Sequence, residues 1–215
     1  MTRKTLYVIF CSLAGLVLAE PSLAQNTNKF TFHIGGGFTE PVRKTDGRLD
    51  TGFNIMTGAG VNFTPAFGLV GEFGYNELGL STSSLLAAGV PNGDARIYSV
   101  TLNPIVRFNP SGRFDAYVTG GGGYYRRTVE FTEPTVTAVT AFDPFYGVFF
   151  PAVVPANAVL GSFSQNKGGW NVGGGFSVRL GGDTQTKFFA ETRYHYLYTT
   201  PVRTSVLPVT FGLRW

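Results

Sequence analysis

The sequence predicts an all-β fold, an eight-stranded antiparallel up-and-down transmembrane β-barrel, and three observations carry that prediction. Stretches of about ten to thirteen residues alternate apolar and polar side chains, the repetitive signature of strands that face lipid on one side and a polar interior on the other. The links between them alternate short and long, as in a barrel with turns on one side of a membrane and loops on the other. Beyond Ala24, no apolar stretch could cross a bilayer as a helix. The richest, Phe142 to Leu160, is interrupted by Pro144, Pro151 and Pro155, each of which breaks a helix interior. Such a chain enters a membrane only as a closed ring of strands, because open backbone groups in hydrocarbon are too costly.

Residues 1–24 read as a signal peptide: Arg3 and Lys4 form a basic start, Leu6 to Leu18 an apolar run, and Ser22-Leu23-Ala24 a small-residue cleavage site. The apolar run is shorter than the ~20 residues of a membrane helix. The expected mature domain is 25–215. Cys11 lies in the leader without the small neighbours of a lipoprotein signal, so disulfides, thiol catalysis and cysteine-metal sites are not expected. Without Arg3, Lys4 and Glu20, the 17 basic and 13 acidic residues become 15 and 12, a net charge of +3. That mild, scattered balance gives no reason to expect nucleic acid.

The first segment, Lys29 to Thr39, sets Phe30, Phe32, Ile34 and Phe38 against Thr31, His33, Gly35 and Gly37. The second, Thr51 to Phe63, sets Phe53, Ile55, Ala59, Val61 and Phe63 against Asn54, Gly58, Gly60 and Asn62. The third, Phe67 to Tyr75, turns Phe67, Leu69, Phe73 and Tyr75 outward and Glu72 inward; the fourth, Arg96 to Phe108, turns Tyr98, Val100, Leu102, Val106 and Phe108 outward, with Ser99, Thr101, Asn103 and Arg107 inward. In the fifth, Phe114 to Tyr125, Gly120 to Gly123 blur the register, and Ala116, Val118 and Tyr124 are assigned outward with Asp115 inward. The sixth, Gly168 to Leu180, opposes Trp170, Val172, Phe176, Val178 and Leu180 to Asn171, Ser177 and Arg179. The seventh, Lys187 to Tyr196, opposes Phe188, Ala190, Tyr194 and Tyr196 to Glu191, Arg193 and His195. The last, Thr204 to Trp215, alternates Leu207, Val209, Phe211, Leu213 and Trp215 with Thr210, Gly212 and Arg214.

Residues 64–66, 109–113 and 181–186 form short links, whereas 40–50, 80–95, 126–167 and 197–203 are longer. In a barrel the short turns face the periplasm and the long loops face outward. A soluble sandwich needs neither this alternation nor an outward face so rich in Phe, Tyr and Trp. The aromatics read as two belts that anchor depth in the bilayer: Tyr75, Tyr98, Tyr124, Trp170, Tyr194 and Tyr196 near one rim, Phe63, Phe67, Phe108, Phe188 and Trp215 near the other.

Phe189-Ala190-Glu191-Thr192-Arg193-Tyr194-His195-Tyr196 and Leu207-Pro208-Val209-Thr210-Phe211-Gly212-Leu213-Arg214-Trp215 resemble the end of the outer membrane protein β-barrel domain family, the OmpA-like and OmpX-like eight-stranded barrels. In architecture the likeness covers the whole mature chain; in motif it covers these two strands. It implies a bacterial outer-membrane location and contact with outer-membrane lipid and lipopolysaccharide. It also implies that Val209, Phe211, Leu213 and Trp215 form the signal read by the barrel assembly machinery, although the terminal aromatic of the family is more usually Phe. With the chain stopping at Trp215, the periplasmic peptidoglycan-binding domain of OmpA-like proteins is not expected.

An eight-stranded barrel is just wide enough to be filled by its own side chains, so inward residues decide whether it conducts. The expected lumen holds Glu72, Arg107, Asp115, Arg179, Glu191, Arg193, His195 and Arg214. Charges of both signs in a confined space should pair, since a buried charge that loses its partner costs about 3–5 kcal/mol. The favoured reading is an ion-pair plug; the alternative is a narrow channel for water or small ions. A second alternative is a lipid A-modifying enzyme, because Arg193-Tyr194-His195-Tyr196-Leu197 resembles the histidine strand of lipid A deacylases. There the nucleophilic Ser stands two residues after the His, and here that position is Leu197. A hydrolase needs hydroxyl and imidazole within hydrogen-bond reach, so no catalytic residue is assigned. The glycine runs lack the Lys-Ser/Thr of a phosphate loop, and two histidines without paired cysteines or clustered carboxylates give no metal or cofactor site.

The connection 126–167 carries more large apolar groups than a solvated loop needs. Phe142, Phe145, Tyr146, Phe149 and Phe150 are candidates for partner contact, or else the segment folds over the barrel mouth or extends the strands. The expectation is a monomeric, non-enzymatic outer-membrane barrel with a structural or surface-interaction role, meeting an extracellular protein partner or envelope lipid through its loops.

Overall fold

The computed structural model describes residues 29–181 and 186–215. The expected leader, 1–24, and part of the 181–186 turn lie outside the described residues. The chain forms β1 (Phe30–Pro41), β2 (Gly52–Asn62), β3 (Phe67–Gly79), β4 (Asn92–Arg107), β5 (Phe114–Asp143), β6 (Val148–Arg179), β7 (Lys187–Leu197) and β8 (Thr204–Arg214). Each strand pairs antiparallel with the next, and β1 pairs with β8, so the sheet closes into a barrel. Closure leaves no strand edge facing lipid, as the bilayer demands.

The alternation decides which side chains fill the barrel. In β4, Ala95, Ile97, Ser99, Thr101, Asn103, Ile105 and Arg107 are buried, while Tyr98, Val100, Leu102 and Val106 are exposed. In β5 the glycine run does not shift the register: Asp115, Tyr117, Thr119 and Tyr125 point inward, and Val118 and Tyr124 outward. Aromatic pairs mark both ends of the apolar band. At the upper rim Tyr75 packs 5.0 Å from Tyr98, and Trp170 lies 5.5 Å from both Tyr194 and Tyr196. At the lower rim Phe63 lies 5.8 Å from Phe67, and Phe32 lies 6.5 Å from Trp215. From Phe67 to Tyr75, β3 climbs about 20 Å at the usual strand rise and tilt, close to the ~25 Å band of outer-membrane barrels.

Several strands run further than their outward apolar residues suggest. The pairing of β3 with β4 continues to Gly79↔Asp94, and the outward positions there carry charge: Arg96 Nη1 lies 2.9 Å from Glu130 and Arg96 Nε 3.6 Å from Glu77. These pairs extend the wall above the lipid, where water tolerates them. The 80–95 connection is correspondingly shorter and contains one helix, α1 (Thr82–Ala88), whose first turn is capped by Ser81 and whose end is closed by Gly89 at φ 67°. In the 40–50 connection a single 3-10 turn at Arg43–Thr45 brings Leu49 back into the barrel mouth.

In the connection 126–167 the structure shows the extension of the strands that the sequence left as one alternative. It is the continuation of β5 and β6, closed by a turn at 144–147. β5 stays beside β4 only as far as Thr132, and β6 reaches β7 only from Gly169; between these points and the tip, the two strands pair only with each other. The prolines that exclude a helix are compatible with this ribbon. Arg179 N–H donates to Arg113 O at 2.9 Å and Tyr198 N–H donates to Gly168 O at 3.1 Å. Counted outward through the register shift at Phe131/Thr132, these bonds set Pro134, Pro151 and Pro155 where the backbone nitrogen points away from the partner strand. Proline there removes no ladder bond.

Candidate functional site

The lumen is filled in layers. At its centre Arg193 presents a bidentate fork to Glu72: Nη2 donates to Oε1 at 2.7 Å and Nη1 binds Oε2. Arg193 Nε also pairs with Glu191. His33 Nε2 lies 3.1 Å from Glu72 Oε1, and Asn103 Nδ2 donates to Oε2. All five side chains are buried. Two carboxylates thus flank one guanidinium, with Arg214 Nη2 3.9 Å from Glu191 Oε2 as the next cation. A charge-assisted fork of this kind is short and geometrically specific.

Glycine makes the centre possible. A Cβ on Gly58 would stand 2.6 Å from the His33 ring and 2.8 Å from Glu72. Above the ion pairs lies an amide and hydroxyl layer: Asn171 Nδ2 donates to Asn103 Oδ1 at 2.9 Å, Thr210 Oγ1 to Asn54 Oδ1 at 2.8 Å, and Thr39 Oγ1 to Asn76 Oδ1 at 2.7 Å. The cavity remaining beside Glu72 and Arg193 measures only about 30 Å³, room for one or two waters. Higher still, Leu49, Leu78, Ala95, Ile97, Tyr125, Leu197 and Val206 form an apolar layer across the extracellular end. Ion pairs and then hydrocarbon thus occupy successive levels of the column.

His195 faces this interior, where its Nδ1 lies 3.1 Å from Tyr125 OH, and Leu197 is fully buried in the apolar layer. Asp115 sits lower, with Oδ1 accepting from Asn109 N–H at 2.9 Å and Oδ2 3.9 Å from Lys187 Nζ. Arg107, Arg179 and Arg214 line a separate cavity of about 710 Å³ at the end of the barrel that carries the short turns. The eight residues expected in the lumen thus divide into a central set of Glu72, Glu191 and Arg193, an upper histidine, and a lower set of three arginines with Asp115. His33, assigned to the inward face of the first segment, also belongs to this interior, and so do Tyr117, Tyr125, Lys187 and Phe189, which the expected lumen set left out. Parity in their strands could have found them, since Lys187 and Phe189 share the register of Glu191, and Tyr117 and Tyr125 that of Asp115.

Val209, Phe211, Leu213 and Trp215 lie on the outward face of the last strand, with Phe211, Leu213 and Trp215 exposed to the surroundings of the barrel. Phe142, Phe145, Tyr146, Phe149 and Phe150 lie together at the far end of the β5–β6 ribbon. Asp143 Oδ1 accepts from Phe145 N–H at 2.8 Å, and Gly147, at φ 66°, donates its N–H to Asp143 O at 2.8 Å. This turn projects Phe145 and Tyr146, which are 85% and 74% exposed, while Phe142 and Phe149 pack at 5.0 Å on one face behind it. Between Pro134 and Phe163 the only charged residue is Asp143.

A family model described as an outer membrane protein beta-barrel domain matches residues 9–214. Among solved structures, Neisserial surface protein A resembles the chain with a TM-score of 0.57 at 14% identity, over 88% of this chain and 98% of that one. A major outer membrane protein from Thermus thermophilus does so with a TM-score of 0.53 at 11% identity, over 86% of this chain and 97% of that one. No curated protein matches the sequence.

Proposed function

From the premise that the chain belongs to the outer membrane protein beta-barrel domain family and resides in the bacterial outer membrane, we propose that it is a monomeric, non-enzymatic surface protein acting through its β5–β6 hairpin. The single observation that carries this reading is the apolar ribbon beyond Thr132. It projects ~35 Å past the wall at the usual rise per residue, and carries exposed Val136, Phe142, Phe145, Phe149 and Val153. A protein that needed only a rigid barrel would not keep such side chains in water; contiguous exposed apolar surface of this kind marks contact with another molecule. The partner class that suits it is an extracellular protein with an apolar, weakly charged surface, while the outward barrel faces meet lipid and lipopolysaccharide. Val209, Phe211, Leu213 and Trp215 serve, on the resemblance to the family, as the strand read by the assembly machinery.

The test is deletion of Thr135 to Pro155 with the flanking strands rejoined, in cells that display the protein. Adhesion to surfaces and to other cells should fall to the level of cells lacking the protein, with the outer-membrane amount of the variant unchanged. Undiminished adhesion at equal surface amount would overturn the reading.

A further inference from the structure

The lower basin of the barrel has a charge balance that the rest of the lumen avoids. Lys29, Arg107, Arg179, Lys187 and Arg214 line a cavity of about 710 Å³ together with Thr31, Asn62 and Ser177, and among the described residues no Asp or Glu lines it. Two carboxylates approach from behind the lining. Asp115 on β5 is shared between Asn109 N–H and Lys187, and Glu191 on β7 is paired with Arg193 and lies 3.9 Å from Arg214 Nη2. Among the described residues, neither Arg107 nor Arg179 has a carboxylate within ion-pair distance. Arg107 Nη1 donates instead to Asn62 Oδ1 at 2.9 Å.

Arg214 supplies the independent sign that something is meant to be bound. It is only 5% exposed, and its guanidinium lies 4.5 Å from the Tyr117 ring centroid and 5.0 Å from that of Phe189. Nη2 donates to Tyr117 OH at 3.3 Å, yet Nη1 has no hydrogen-bond partner, and neither has the buried Nε of Arg179. Two aromatic rings hold a buried cation in place while one of its donors stays unused. Unsatisfied donors on buried cations are expensive, and several guanidiniums around one space match an anion with multiple oxygens.

We propose that this basin binds a phosphate group presented from the periplasmic side. Arg107, Arg179 and Arg214 donate to its oxygens, and Lys29 and Lys187 neutralise the remaining charge. The cavity falls in the ~300–1,000 Å³ range of small-ligand sites and exceeds a bare phosphate, so the group arrives on a larger carrier. That carrier is either a soluble phosphate ester or the headgroup of an inner-leaflet phospholipid.

The test is side-chain NMR of the arginine Nε–H groups in refolded protein, in two arms. In nonionic micelles it is titrated with glycerol phosphate, with chloride at matched ionic strength as control. In nanodiscs, phosphatidylcholine alone is compared with phosphatidylcholine containing phosphatidylglycerol. Saturable shifts at Arg107, Arg179 and Arg214 in micelles support a soluble ester; shifts that arise only with phosphatidylglycerol support a headgroup. Arg179→Gln, at a half-buried position on the rim, should weaken either response about tenfold while heat-modifiable migration stays that of the folded barrel. Arg107→Gln with Arg179→Gln should abolish it. No saturable shift in either arm, or an Arg179→Gln response equal to that of the unaltered protein, would overturn the proposal.

Discussion

Replacing Glu72 by Ala strips Arg193 of its bidentate partner and leaves the His33 and Asn103 contacts empty at the same time. Glu191 remains, so the guanidinium is not wholly unpaired, but one positive charge in the centre of the lumen loses its compensation. The Arg193 and Glu72 side chains are only 5% and 6% exposed, so screening by water does not reduce the effect. Breaking a buried pair by removing one partner costs about 3–5 kcal/mol, and the cavity left by the side chain adds to that. The expected result is a loss of at least about 3 kcal/mol in reversible urea unfolding from lipid vesicles, followed by tryptophan fluorescence. Glu72→Gln should lose less, because the amide keeps the oxygen that accepts from Arg193. Glu72→Leu combined with Arg193→Met should recover most of the loss, since an apolar pair of similar volume leaves no orphaned charge. A Glu72→Ala barrel within about 0.5 kcal/mol of the unaltered protein would refute the assignment of this cluster as the plug.

The same unfolding assay locates the membrane. Leu102→Arg, on the outward face of β4 opposite Gly71 at the middle of the apolar band, should cost about 2–4 kcal/mol, whereas Phe67→Arg at the lower rim should cost about 0–1 kcal/mol; equal costs would show that the apolar band is misplaced. In planar bilayers the refolded protein should give no resolved single-channel steps, because the column is blocked by the ion pairs around Arg193 and by the apolar layer around Leu78 and Ile97. Regular steps at low voltage would reopen the channel reading.

The legible parts of this fold are those where side-chain chemistry and bilayer chemistry coincide. Phe53, Ile55, Phe73 and Val100 had to face lipid, and their parity placed Asn54, Glu72 and Thr101 inside without any knowledge of neighbours. Strand ends were less legible, because β3, β4, β5 and β6 continue into water, where outward residues such as Glu77, Arg96 and Glu130 no longer advertise a strand. The ribbon stood in the sequence only as one alternative, for a different reason. Proline ordinarily argues against a strand, and only the hydrogen-bond phase around the bulge at Phe131/Thr132 reveals that Pro151 and Pro155 sit at harmless positions. The basic basin was invisible because Lys187, Arg107 and Arg214 come from separate strands, and their proximity depends on barrel tilt rather than on spacing along the chain.

The central cluster also bears on how the barrel is completed. Its charged members and His33 come from β1, β3, β7 and β8, with Glu72 and Arg193 separated by 121 positions in the chain. Before β1 meets β8, an open sheet would carry Glu72 and His33 on one wing and Arg193, Glu191 and Arg214 on the other. Full neutralisation and ring closure then coincide: Glu191 can pair with Arg193 within one wing, but Glu72 meets its cation only across the finished barrel, and an unfinished cylinder stays wet inside. The ion pairs act as a lock that engages only when the last seam is sewn, and they favour the finished cylinder over any partly closed intermediate.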